Sequence, residues 1–240
     1  MDTKLPEKNG ELRFLDNLAR TTGRRTFVQW AGLTLGVVAL GCSDDSSGPP
    51  GDGEVNLGTG DTGILNYAYA LEQLEAAFYT QVVASFYAGA SADEQALLTD
   101  IKNHEVIHRD FLKAALGTAA IADLTVDFTT INFGDRASVL GAAKAFEDLG
   151  VSAYNGAGQL LTSADYLLIA GKIVSVEARH AAAIRDLLVP RSSANGSFAG
   201  DDVVDPTTGL EFPERTPAQV LTAADTYVTT TINASGLPTS

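Results

Sequence analysis

Apolar residues recur at helical spacing in four long stretches of the chain, and we predict that these stretches are α-helices. Each would form a helix of roughly 30–40 Å, given the rise per residue of an α-helix. Nothing alternates apolar and polar residues for long enough to predict a β-sheet. The four predicted helices cover residues 64–83, 91–116, 135–161 and 163–189.

Residues that favour helix ends stand at these boundaries. Asp61 and Thr62 are candidate N-caps of the first helix. Ser91 is followed three residues later by Glu94, which is the spacing of a capping box at the start of the second helix. Gly117 follows the second helix and is typical of a C-terminal stop.

The lengths of the connections predict how the helices are arranged. Short turns around Gly89 and Thr162 indicate two antiparallel hairpins. The 18 residues between Leu116 and Asp135 are enough to travel the length of a bundle. We therefore predict an all-α, four-helix bundle over residues 61–190, with two helical hairpins joined by one long crossover, which is the ferritin-like topology.

For the C-terminal part, residues 191–240, the sequence predicts a loop and one more short helix. Residues 191–215 are rich in Ser, Asn, Gly, Asp and Pro and indicate a loop without a clear role. Thr216 followed by Pro217 predicts the start of a fifth helix, because Thr caps helices and Pro is favoured at the first helical position.

Each of the four long helices carries a glutamate on its apolar face. These residues are Glu72, Glu105, Glu147 and Glu177. An isolated carboxylate is very costly to bury unless it is paired or bound to a metal, and four converging carboxylates would also repel one another. The pattern predicts that positive charge lies between them.

Two of the glutamates belong to Glu-x-x-His motifs, Glu105 with His108 and Glu177 with His180. The spacing places a carboxylate and an imidazole on one helix face, one turn apart. The residues around both motifs are largely apolar, which favours a buried site over a surface pair. The third histidine, His104, falls on a neighbouring face, and we expect it not to be a ligand.

This pattern resembles the ferritin-like superfamily of di-iron and di-manganese proteins over residues 61–190. Those proteins take one Glu from each of two helices and a Glu-x-x-His motif from each of the other two. As in members of that superfamily, Glu72 is followed seven residues later by Tyr79, and Glu147 stands in the same relation to Tyr154. The segment LEQLEAAFY, with the N-terminal features described below, is most similar to bacterial ferritin-like proteins related to plant desiccation-related proteins.

The resemblance implies a centre of two iron ions, or of manganese, held by six side chains. Tyr79 and Tyr154 are then expected to hydrogen-bond the carboxylates around the metals. Glu75 lies one turn from Glu72 and is either a further ligand or a partly exposed glutamate at the edge of the apolar face. The implied metal ligands are Glu72, Glu105, His108, Glu147, Glu177 and His180.

The first 42 residues indicate an export signal. Arg24 and Arg25 precede Phe27 and an apolar run over residues 30–41, which resembles a twin-arginine signal peptide. That run is shorter than the roughly 20 residues of a membrane-spanning helix. We expect export to the periplasm or the cell surface.

The lone cysteine, Cys42, follows small residues and resembles the lipidated cysteine of a bacterial lipoprotein. Residues 43–60 are rich in Ser, Asp, Gly and Pro and predict a flexible linker. We therefore expect a lipid anchor at Cys42 to be the protein's connection to a membrane. A free thiol, or a cysteine removed with the signal, is the alternative.

Charge narrows the range of partners. The chain has 16 basic and 30 acidic residues, a net charge of −14. This acidity argues against nucleic acids and anionic membrane surfaces, which attract positive charge. We expect metal ions and dioxygen or peroxide as partners, and a homodimer as a candidate assembly.

The leading interpretation is an oxidase in which a di-iron centre reacts with dioxygen or peroxide. One alternative is a non-catalytic stress or desiccation-related protein that metal ions stabilise. Another is a di-manganese catalase-like enzyme, although such enzymes have longer chains. The sequence alone does not separate these interpretations.

Overall fold

The computed structural model describes residues 53–189, 198–211 and 215–239. Within them, four long helices and a short fifth helix confirm the predicted all-α four-helix bundle with a C-terminal helix. The elements in chain order are β1 (Glu54–Asn56), α1 (Gly60–Ala84), α2 (Ala92–Leu116), α3 (Arg136–Gly158), α4 (Ala164–Leu188), α5 (Pro217–Ala224) and β2 (Thr231–Asn233).

Side-chain caps fix where most of the helices begin. Ser91 and Glu94 form the predicted capping box at the start of α2, each binding the other's backbone N–H. The Ser163 hydroxyl accepts a hydrogen bond from the N–H of Tyr166 at the start of α4. Thr216 caps α5 with Pro217 in its first turn, as the sequence predicted.

The start of α1 differs from the prediction. The helix begins at Gly60, and neither Asp61 nor Thr62 is its N-cap. The Asp61 carboxylate instead accepts hydrogen bonds from the backbone N–H groups of Thr162 and Ser163, each at 2.8 Å. Asp61 therefore ties the beginning of α1 to the turn between α3 and α4, a long-range contact that local cap signals do not reveal.

The helices pack as two hairpins, α1 against α2 and α3 against α4. Two buried amide side chains on α1 hold the crossover between the hairpins. Asn66 Nδ2 donates to the carbonyl of Ala119 at 2.9 Å, and its Oδ1 accepts from the N–H of Ile121 at 3.0 Å. Two turns further along, Gln73 Oε1 accepts from the N–H of Leu124 at 2.7 Å. These bonds satisfy backbone groups that the crossover would otherwise bury unpaired.

A small parallel sheet joins the two ends of the described chain, so the expectation of no sheet is wrong here. Val55 of β1 pairs with Ile232 of β2. Each strand has three residues, too few for an alternating pattern to be visible in the sequence. The prediction of a flexible linker over 43–60 also differs from the structure at its C-terminal end. There the chain forms β1, and Leu57 is fully buried.

Aromatic rings close one side of the bundle and join the C-terminal segment to it. Tyr227 packs edge-on against Phe146 of α3, with ring centroids 4.8 Å apart. Phe146 in turn meets Phe78 of α1 at 5.0 Å. Gly156 allows a further close approach, because a Cβ atom at this position would lie 2.0 Å from the carbonyl oxygen of Arg215.

A buried arginine on α4 fastens the segment over 198–211, which the sequence predicted only as loop. Arg185 is 2% exposed. Its guanidinium donates to both carboxylate oxygens of Asp148 on α3, at 2.8 and 2.7 Å, and to those of Asp202, at 2.9 and 3.0 Å. Paired contacts of this kind fix geometry as well as charge.

Arg24, Arg25, Cys42 and residues 43–52 of the predicted linker lie outside the described residues. Among the helices that are described, none is long and apolar enough to cross a membrane.

Candidate metal centre

Four glutamates, one from each long helix, meet in the middle of the bundle. Glu72 lies on α1, Glu105 on α2, Glu147 on α3 and Glu177 on α4, and each is fully buried. Their helices bring them together because each occupies the apolar face that packs inward. The predicted convergence of these residues is therefore present in the fold.

His108 lies among three of these glutamates. Its Nδ1 atom is 2.8 Å from Glu177 Oε1, 3.5 Å from Glu72 Oε2 and 3.7 Å from Glu105 Oε2. Each of the four residues offers a ligand atom, and these atoms lie within 4.8 Å of one another. We call this group site 1.

His180 occupies the corresponding place in a second group. Its Nδ1 atom is 2.8 Å from Glu105 Oε1, 3.5 Å from Glu147 Oε2 and 3.6 Å from Glu177 Oε2. We call Glu105, Glu147, Glu177 and His180 site 2. Glu105 and Glu177 belong to both sites and turn one carboxylate oxygen toward each histidine, whereas Glu72 and Glu147 each serve one site.

The donor atoms of this cluster fit a pair of divalent cations. Ten buried side-chain polar atoms in the described residues lack a hydrogen-bond partner, and eight of them belong to these six side chains. Buried polar atoms without partners are rare in proteins and need an explanation such as an ion. Carboxylate and imidazole donors suit iron and manganese, and no thiolate is among them.

Two tyrosines hold the glutamates that are not shared. The Tyr79 hydroxyl on α1 donates to Glu147 Oε1 on α3 at 2.5 Å, and the Tyr154 hydroxyl on α3 donates to Glu72 Oε1 on α1 at 2.5 Å. The bonds cross between the two hairpins in a symmetric way. In each case the other carboxylate oxygen lies 3.5 Å from a histidine Nδ1, so the tyrosine orients the carboxylate toward the cluster.

Burial and mutual repulsion shift the titration of the cluster. Burial raises the pKa of Glu105 to about 7 and that of Glu147 to about 8, and it also raises the pKa of Glu72. Glu177 is different: the two histidines beside it outweigh its burial and lower its pKa to about 2. Without a cation, Glu105 and Glu147 therefore bind protons near neutral pH more readily than free glutamates do.

Glu75 is buried, so the expectation of a partly exposed glutamate is wrong. It is 3% exposed and faces Gly150 of α3, where a Cβ atom would lie 3.0 Å from Glu75 Oε1. The absent side chain at Gly150 leaves room for the carboxyl group. Burial and four neighbouring glutamates hold the pKa of Glu75 well above its usual range. Glu75 belongs to neither site 1 nor site 2.

His104 contacts His180, which sequence reasoning missed. Its Nδ1 lies 2.9 Å from Nε2 of His180, and the two rings stack with centroids 5.2 Å apart. Because His180 Nδ1 faces the glutamates, its Nε2–H is free to donate to His104. Partial burial and the neighbouring His180 lower the pKa of His104, so its Nδ1 is available as the acceptor. At the equivalent position of the second motif stands Val176, which has no such group.

The comparison with known families is consistent with this geometry. A model of the ferritin-like domain matches residues 60–190, more than half of the chain. The chain belongs to the ferritin-like domain family. The match covers α1 to α4 and all six side chains of the two sites. A search of curated proteins finds no match, and the likeness of this ferritin-like protein to the desiccation-related group stays a prediction.

Removing metal is expected to destabilise this ferritin-like protein, and more so at about pH 7.5 than at about pH 5.5. A cation that binds only the folded state at a hundredfold excess over its Kd adds about 2.7 kcal/mol per site. For two sites in a chain of this size, chelation is expected to lower the Tm by about 10–20 °C. Calorimetry with and without chelator at both pH values measures it.

The sign of the pH effect follows from the pKa shifts. Glu105 and Glu147 have pKa values raised above the unfolded value of about 4.3, so the folded metal-free protein keeps protons that the unfolded chain loses. Its stability therefore falls as pH rises from about 5 to about 8. The raised pKa values of His108 and His180 act in the same direction above about pH 6.5. Equal melting temperatures with and without chelator at both pH values would contradict a metal centre.

Substituting His104 is expected to weaken site 2 selectively. His104→Val copies Val176 and removes the acceptor for His180 Nε2–H, so zinc affinity at one of two sites should fall about 10–100-fold. His104→Gln keeps a side-chain acceptor and should lose less. Competition titration with zinc measures both affinities, with Val176→Ala as the matched control. Two unchanged affinities in His104→Val would show that the contact does not orient His180.

Proposed function

We propose that this protein binds two iron ions in sites 1 and 2 and oxidises Fe(II) with dioxygen or peroxide. The observation that supports the proposal is the pair of overlapping donor groups that share Glu105 and Glu177. Shared carboxylates hold two cations close together, as in the di-iron members of ferritin-like folds.

Charge balance supports two divalent ions over one. Four ionised glutamates carry −4, two divalent cations carry +4, and two neutral imidazoles complete the set. The result is a neutral shell, which a bundle interior accommodates far better than isolated charges. A single divalent ion would leave two carboxylates to be neutralised by protons.

When bound, the iron pair supplies two electrons, one from each Fe(II), and dioxygen takes them with two protons to give hydrogen peroxide. The side chains of the protein set the conditions for this reaction. Tyr79 and Tyr154 keep the Glu147 and Glu72 carboxylates turned toward the centre. All four ligand glutamates are fully buried, which limits water at the centre.

Oxidation of Fe(II) is tested by adding it anaerobically to metal-free protein, then dioxygen or hydrogen peroxide. Wild type should bind two Fe(II) per chain and consume about one dioxygen per two Fe(II). Glu147→Gln should lose one iron and most of the oxidation, because it removes the charge of the glutamate that site 2 does not share with site 1. Exposed Asp165→Asn on α4 is the matched control. Two bound metals without any consumption of either oxidant would contradict an oxidase and favour a metal-stabilised, non-catalytic protein.

We also propose that the protein is exported by the twin-arginine route and anchored through Cys42. The arginine pair before a short apolar run and the lone cysteine after it support this proposal. A route that carries folded cargo suits a buried carboxylate centre, because metal is then loaded before export.

Export is tested with the double substitution Arg24→Lys and Arg25→Lys, which should retain the protein in the cytoplasm. Cys42→Ala should still be exported but be released from membranes. Cell fractionation with immunoblotting measures both, and Lys4→Arg with Lys8→Arg is the control. Normal export of the double variant would exclude the twin-arginine route, and a wild type that is free of membranes would exclude the anchor.

A further inference from the structure

An apolar pocket lies beside the metal centre and is not explained by the proposed ligand set. All four long helices contribute to its wall, and none of its lining residues is charged. The three polar groups among the lining residues are tyrosine hydroxyls, and that of Tyr154 is directed to Glu72. Its lining includes Ala68, Leu71, Leu112 and Ile173, each within four residues of a site 1 side chain along the helix, and Tyr154, which bonds Glu72.

The register of the helices places this pocket next to site 1. Ala68 precedes Glu72 by four residues, Ile173 precedes Glu177 by four, and Leu112 follows His108 by four. Four residues are about one helical turn, or roughly 5.4 Å. Three of the four side chains of site 1 therefore have a pocket-lining residue one turn away, toward the same end of the bundle.

Glu147 and His180, the two residues that belong to site 2 alone, have no such neighbour. The residues four positions before and after Glu147 and His180 do not line the pocket. At the far end of the bundle, Phe78 and Phe146 pack edge to face and fill the space beside Tyr79. The pocket therefore approaches the centre from the side of site 1.

Size restricts what the pocket can hold. The cavity has a volume of about 20 Å³, measured for the centre of a water-sized sphere. A single water needs about 10–15 Å³ by this measure, so there is room for one molecule of two or three heavy atoms. A drug-sized or acyl-chain substrate needs a cavity of about 300 Å³ or more and does not fit.

Hydrogen-bonding requirements distinguish the small molecules of this size. A buried water needs two to four polar partners, and hydrogen peroxide, with two hydroxyl groups, has a similar requirement. Among the hydroxyl groups that line the pocket, that of Tyr67 is buried without a hydrogen-bond partner. Dioxygen needs no hydrogen-bond partner and is favoured by an aliphatic wall. Of the two oxidants, dioxygen is therefore the one that matches the pocket.

We propose that this pocket binds dioxygen and is its route to site 1. The proposal deepens the proposed function and rests on it for the chemical step, but the binding of dioxygen by the pocket is independent of iron.

Binding is measured by the paramagnetic relaxation that dissolved dioxygen causes in methyl groups, observed by NMR. The full chain is loaded with zinc, which is diamagnetic and does not reduce dioxygen. Methyl groups of Leu112 and Ile173 should relax faster than those of Leu140 and Ile184, which are also buried but do not line the pocket. Equal relaxation of the two pairs would overturn the proposal.

A substitution that fills the pocket provides a second test of the proposal. Ala157→Leu adds volume to the wall from α3 without touching a metal ligand, and Ala170→Leu does so from α4, in case the first variant does not fold. Exposed Ala96→Leu is the matched control. The filled variant should lose the extra relaxation of the Leu112 and Ile173 methyls and still bind two zinc ions.

With iron bound, the filled variant should react with dioxygen about tenfold more slowly, a barrier increase of about 1.4 kcal/mol. Its rate with hydrogen peroxide should match that of Ala96→Leu. An unchanged dioxygen rate would overturn the route, and so would an equal loss with both oxidants, because the loss would then come from a damaged centre. If wild type relaxes as expected but never oxidises Fe(II), the proposed function fails while the binding pocket stands.

Discussion

The burial of four glutamates at one point of the bundle is the constraint on which the rest of this structure depends. Each carboxylate alone would cost several kcal/mol to bury as an ion, and together they repel. In the absence of metal, the buried His180 and the partly buried His108 lie among the carboxylates, and the pKa values of Glu105 and Glu147 are raised. Cations bound between the carboxylates would remove this repulsion and would therefore stabilise the bundle.

The surrounding contacts keep that charged centre in place. Crossed tyrosine bonds link α1 to α3, and each leaves one glutamate oxygen for a cation. The side chains of Asn66 and Gln73 form hydrogen bonds with backbone groups of the crossover between the two hairpins. On α4, Arg185 donates hydrogen bonds to Asp148 of α3 and to Asp202, which belongs to the segment over 198–211.

The two halves of the bundle repeat the same motif but are not equivalent. Site 2 is supported by His104 and backed by packed aromatic rings, whereas site 1 borders an apolar pocket. This asymmetry arises from a few positions, such as His104 against Val176. A centre with one well-supported site and one accessible site is suited to a reaction in which a small molecule approaches from one direction.

Local spacing in the sequence determined the helices, their order and which residues face inward. Caps such as Ser91 and motifs such as Glu105-x-x-His108 depend on residues within a few positions, where helical geometry is fixed. The short strands, the cap of α1 and the burial of Glu75 were not predictable in this way, because each depends on residues that lie far apart in the chain. Tertiary structure alone decided which glutamates are shared and that His104 meets His180, 76 residues away. Such contacts depend on the register of one helix against another, and no pattern within either helix encodes it.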